Sequence, residues 1–197
     1  MNKIKITLII LSFFAITNAK SQSTISIYTG LTYGKSPDKT VTPTGTGHYG
    51  YLVGSNLILF DDGLHFLFTG EYGKMNLLPE KEMIFFKRKH LSFVRAKGGI
   101  GFDLYKFNAK ARLRSKLQGN VFYVYRFDGT LKDATPAQIE TGYTTLNEAV
   151  GGLSTGLGFT YGKLDIDIEY EKGYFNIYYE KLNSKFDFIT LTTGVRF

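Results

Sequence analysis

The chain has 197 residues, a length for one domain, with 17 phenylalanines, 14 tyrosines, 22 glycines and only 4 prolines; that mix favours strands and tight turns over helices. Cysteine is absent, which excludes a disulfide framework, a thiolate metal centre and a lipid-modified N-terminal cysteine. The formal charge of +7 comes with no recognition motif, so a nucleic-acid partner is not expected.

At the N-terminus Lys3 and Lys5 precede an apolar run from Ile6 to Ile16, followed by Thr17-Asn18-Ala19. This is the layout of a secretory signal peptide, 1–19, cleaved after Ala19, or after Ser21 with Ala19 at the third-from-last position. The run is too short for a spanning helix, which takes about 20 apolar residues. No later stretch is longer, so a membrane crossing would have to be made by strands.

Period-two alternation then marks eight strands, approximately 24–34, 48–60, 64–74, 90–105, 109–126, 148–161, 164–179 and 186–197, within a single domain at 24–197. Short turns fall at Asp61-Asp62-Gly63, Lys106-Phe107-Asn108 and Gly162-Lys163. Longer loops cover 35–47, 75–89 and 127–147, with a modest one at 180–185. Short and long connections alternate, so the expected fold is an all-β, eight-stranded antiparallel up-and-down barrel with every short turn at one end.

Three segments fix which face of this wall turns inward. Lys110, Arg112, Arg114 and Lys116 alternate with small and apolar residues, and Asp165, Asp167, Glu169 and Glu171 alternate with Leu164, Ile166, Ile168 and Tyr170. Between them in the chain, Ser154, Gly156, Gly158 and Thr160 form an alternating face of small side chains. Long cations and anions placed on a concave interior would meet over that small-residue strand, whereas on a convex exterior water would screen them. The expectation is therefore a transmembrane barrel with charges inside and apolar residues toward lipid, Arg95, Lys97, Asp103 and Glu71 joining the interior set. Arg112 and Arg114 are expected to pair with Asp167 and Glu169, giving a structural ion-pair network in a plugged lumen. Tyr33, Tyr49, Tyr51, Tyr72, Tyr123, Tyr125 and Tyr174 would form an aromatic girdle at the loop end, and Phe102, Tyr161 and Phe197 would contribute at the turn end.

With these features the chain resembles the small eight-stranded outer-membrane barrels of Gram-negative bacteria, of the OmpX and OmpA-transmembrane-domain type. The resemblance is sharpest in the last strand, which ends Gly194-Val195-Arg196-Phe197. It implies that Val195 and Phe197 are part of the signal read by the barrel-insertion machinery, and that the protein is a monomer of the outer membrane in contact with its lipid and lipopolysaccharide.

Chemistry-bearing motifs are few. His48, His65 and His90 lie near different strand ends, with no nucleophile at motif spacing, no metal-ligand cluster and no phosphate loop, so neither a catalytic residue nor a cofactor is expected. The loop 75–89 joins an apolar run, Met83-Ile84-Phe85-Phe86, to a basic one, Lys87-Arg88-Lys89, which is the candidate contact with lipopolysaccharide phosphates. The reading is a barrel with a structural or surface-interaction role and no catalysis. Two alternatives stand beside it: a lipid A-modifying enzyme with His48 or His90 at its outer rim, and a soluble, lipocalin-like carrier with the apolar face turned in.

Overall fold

The computed structural model describes residues 23–35, 48–60, 63–75, 91–127, 149–176 and 185–197, with the side chains of 125–127 left aside. The strands are β1 (Thr24–Lys35), β2 (His48–Leu59), β3 (Leu64–Met75), β4 (Leu91–Lys106), β5 (Ala111–Phe127), β6 (Ala149–Tyr161), β7 (Leu164–Gly173) and β8 (Asp187–Arg196). Each pairs antiparallel with the next, and β8 returns to β1 to close the barrel. Closure pairs every strand on both sides along the body of the barrel.

Burial alternates along each strand. In β7 the pattern runs exposed, buried, exposed, buried: Ile166 and Ile168 are about half exposed, while Asp165, Asp167, Glu169 and Glu171 are each at most 9% exposed. The same alternation puts Leu31, Val53, Phe68, Leu117, Leu153 and Leu191 on the outside. The charged face is therefore the lumen and the apolar face the outer wall, the reverse of a soluble carrier.

Local chemistry accounts for the turns. Between β6 and β7, Gly162 sits at φ 61°, the first central position of a two-residue hairpin, where glycine takes a positive φ without steric cost. Before β5, the Asn108 side chain accepts hydrogen bonds from the backbone N–H of Lys110 (2.8 Å) and of Ala111 (2.9 Å). This Asx-type turn holds 107–110 out of the ladder. The fifth strand therefore begins at Ala111, not at 109, and Lys110 lies exposed in the turn instead of in the lumen. At the far end of β4 the register shifts between Asp103 and Tyr105. Leu104 is the extra residue of this bulge, and it turns Tyr105 outward, where its ring meets Phe107 at 4.8 Å. The seventh strand ends at Gly173, short of the expected 179. The signal peptide 1–19, His90 and the run Lys87, Arg88 and Lys89 lie outside the described residues.

Candidate functional site

The concave face carries the polar chemistry. Among the described residues, six cations (Arg95, Lys97, Arg112, Arg114, Lys116, Arg196) and six carboxylates (Glu71, Asp103, Asp165, Asp167, Glu169, Glu171) face inward from β3, β4, β5, β7 and β8. A charge withdrawn from water needs a partner of opposite sign, and these groups are arranged in levels that supply one.

At the turn-end mouth, Arg112 Nη1 and Lys106 Nζ each lie 3.5 Å from Asp103 Oδ2. One level up, Asp165 receives Arg114 Nη2 at 2.8 Å, Arg196 Nε at 2.6 Å and the Thr160 hydroxyl at 2.6 Å. At mid-height Lys116 Nζ is 3.0 Å from Glu169 and 3.8 Å from Asp167. Lys97 donates to Glu169 and also lies 3.2 Å from Glu71. At the top Arg95 bridges Glu71 and Glu171, at 2.5 Å each, while the Tyr28 hydroxyl donates to Glu71 at 2.7 Å.

β6 makes this convergence possible. Its inner face is Ser154, Gly156, Gly158 and Thr160, registered against Gln118 to Arg112 on one side and Glu171 to Asp165 on the other. A Cβ built on Gly158 would strike Asp167 Oδ1, and one on Gly156 would come within 3.0 Å of Lys116 Cε. Long side chains from β5 and β7 thus meet across a strand that has nothing to put between them. A cavity of about 10 Å³ lies among Asn56, His65, Arg114, Lys116 and Asp167, at the lower bound for one water.

Arg114 joins Asp165 and Arg112 joins Asp103, pairings that the sequence did not anticipate, while Lys116 reaches Asp167 and shares Glu169 with Lys97. The reasons are local. The bulge at Leu104 supplies Arg112 with a carboxylate on the neighbouring strand, and Asp165 is also the acceptor for Arg196 and Thr160, which draws Arg114 to the same point.

Above the ionic levels, toward the loop end, the lumen turns aromatic. Phe93 stacks on Phe122 at 4.7 Å, Phe122 on Phe188 at 5.9 Å and Phe188 on Phe186 at 6.1 Å. All four rings are at most 3% exposed, and Leu52, Met75 and Leu91 pack around them fully buried. Sequence reasoning missed this cap although a signal was present: Phe93, Phe122 and Phe188 have the same parity as Arg95, Asn120 and Thr190. His48 is buried against the cap, its ring 5.3 Å from that of Phe186, and so faces the interior. His65 lies at the opposite end, its Nδ1 3.2 Å from the Gly63 carbonyl. The two described histidines thus share no site, and no cluster of metal-ligating side chains occurs among the described residues.

Exposed charge lies at the two margins of the barrel, with Lys106, Lys110 and Lys163 at the turn end. Among outward strand positions with described side chains, the ionised residues are Lys35, Lys74, Lys172 and Asp187, all within two residues of the loop end of their strands. At the turn end the outward strand residues are apolar or aromatic, including Phe66, Phe102, Phe159, Tyr161 and Phe197.

Comparison with protein-family models and with curated protein sequences gives no match. Among solved structures, Neisserial surface protein A is similar at 13% identity over 89% of this chain and 97% of its own, with a TM-score of 0.50. The attachment invasion locus protein of Yersinia pestis, solved with the heparin analogue sucrose octasulfate, gives 16% identity over 90% and 99%, with a TM-score of 0.46. The N-terminal β-barrel domain of Pseudomonas aeruginosa OprF gives 11% identity over 90% and 100%, also at 0.46. At such identities it is the fold that is shared, and the chain has the fold of the small eight-stranded outer-membrane barrels of the OmpX and OmpA type.

Proposed function

We propose that this barrel is an integral protein of the Gram-negative outer membrane, monomeric and non-catalytic, with a structural or surface-interaction role. The observation that carries the reading is the outer wall: about half-exposed Ile, Leu, Val and Phe side chains ring it, with exposed charge, among the described residues, confined to its two margins. In water that wall would be a large exposed apolar surface; in a bilayer it is the expected solvent-facing side.

The lumen is the counterpart. Its ion pairs and aromatic cap act together as a plug, so the wall is held rigid and the passage is shut. Residues 1–19 direct export, Val195 and Phe197 serve the barrel-insertion machinery, and Lys87, Arg88 and Lys89 contact lipopolysaccharide phosphates above the membrane. The test is heat-modifiable migration of the purified chain on a denaturing gel, with fractionation of the cells that make it. A band that shifts on boiling, from the outer-membrane fraction, is expected. A single unshifting band from a soluble fraction would overturn the reading.

A further inference from the structure

We infer that Lys35 and Lys172 form a phosphate-binding site for an anionic lipid headgroup in the leaflet at the loop end, an inference that rests on the membrane reading above. Three adjacent strands bring the site together across the seam of the barrel. Lys35 on β1 registers with Asp187 on β8, which registers with Lys172 on β7. All three point outward, with both lysines exposed. Adjacent strands lie roughly 4.8 Å apart, so the two ammoniums stand on either side of one carboxylate with stems long enough to converge above it.

That carboxylate is engaged otherwise. Asp187 Oδ2 accepts the Tyr170 hydroxyl at 2.9 Å, and no ion pair joins Asp187 to either lysine among the described residues. Lys185, also exposed, adds a third cation just ahead of β8. The trio therefore presents net positive charge with donors to spare.

The height of the site selects the ligand. Below it on the same strands lie Leu31, Ile168, Ile189 and Leu191, all on the lipid side of the wall. Lysines at the top of such a band keep their stems along apolar surface and raise their ammoniums to the level of the headgroups. There the anionic groups are phosphates, for which clustered ammoniums are point-charge partners.

The experiment uses the full chain refolded into phosphatidylcholine vesicles, alone or with one tenth bis-phosphorylated lipid A, or the same lipid A dephosphorylated. The readout is the heat-unfolding midpoint from the gel shift. For the native protein the phosphorylated lipid should raise the midpoint by about 4 °C, and the dephosphorylated lipid should not. Lys35→Gln with Lys172→Gln should fold with an unchanged midpoint in phosphatidylcholine and lose at least half of the shift. An undiminished shift in that variant overturns the proposal, as does an equal shift from dephosphorylated lipid A or from inorganic phosphate alone. If the native chain gives no heat-modifiable band in any vesicle, the membrane reading fails and this site falls with it; folding in all vesicles without a phosphate response overturns the site alone.

Discussion

The guanidinium carbon of Arg95 lies 5.7 Å from the ring centroid of Phe93, its neighbour two positions earlier on β4. The contact is the junction between the two halves of the lumen. Below it every described inward charge of β3, β5 and β7 has a counter-charge within reach; above it the described inward side chains of β4, β5 and β8 are rings and aliphatics. A planar guanidinium suits this boundary, because its edge can serve two carboxylates while its face rests on an aromatic ring.

Arg95→Met should therefore be among the costliest single changes in the barrel. It deprives Glu171 of the cation it is bonded to and leaves Glu71 only Lys97 and the Tyr28 hydroxyl. Removing one member of a buried pair typically costs ~3–5 kcal/mol. Adding Glu171→Gln should return roughly 1 kcal/mol or more of that loss. Urea unfolding in vesicles measures both, and strictly additive losses would show that the two residues do not interact.

Two glycines make a matched pair of opposite outcomes. Gly158 faces the lumen, and a methyl group there collides with Asp167; Gly70 faces outward, where an added Cβ meets nothing within 4 Å. Gly158→Ala should cost about 1–3 kcal/mol, because the neighbouring carboxylate must leave its place near Lys116. Gly70→Ala should be neutral or stabilising by about 0.4–1 kcal/mol, through the lost freedom of the unfolded chain. Equal effects at the two positions would mean that β6 is not small in order to make room.

The absence of cysteine makes single-cysteine labelling a clean test of the proposed plug. The Arg112 side chain at the turn-end mouth is 25% exposed, whereas Phe122 in the cap is 1% exposed. Arg112→Cys should react with a small charged thiol reagent in refolded barrels, and Phe122→Cys should react slower by about two orders of magnitude, at the rate set by local opening. Comparable rates would place an open path through the aromatic layer.

Much of this arrangement is legible in the residues, and what is not has definable causes. The alternation of Asp165 to Glu171 with Ile166 and Ile168 states directly which face is polar, and the flanking small residues of 154–160 state that β6 yields space. Strand limits follow to within a few residues wherever the alternation is strong. Lys110 departs because alternation cannot see the side-chain bonds of Asn108 that delay the strand. Pair identities depend on relative stagger and on the bulge at Leu104, neither of which leaves a mark in hydrophobic pattern. The cap was hidden for a different reason: an aromatic residue near a strand end reads as part of a girdle, and only its parity with a charged neighbour, as in Phe93 and Arg95, places it inside.

The outer wall offers the sharpest discrimination between a barrel in lipid and one in water. Leu191 lies outward on β8, about half exposed, registered with Leu31 on one side and Ile168 on the other. It sits four residues along β8 from Asp187, well inside the charge-free band. In a bilayer, Leu191→Arg should destabilise the barrel by ~2–4 kcal/mol, because a cation at that depth must be dehydrated or must draw water and headgroups inward. Tyr49→Arg, at the loop-end margin of β2 where the ring is 72% exposed, should cost no more than about 1 kcal/mol. A water-facing wall would make both substitutions nearly silent, since an exposed apolar residue exchanged for a charged one in solvent seldom moves stability beyond about 0.5 kcal/mol. Unfolding midpoints of the two variants in phosphatidylcholine vesicles decide the matter, and a depth-independent response would remove the physical ground for placing this surface against acyl chains.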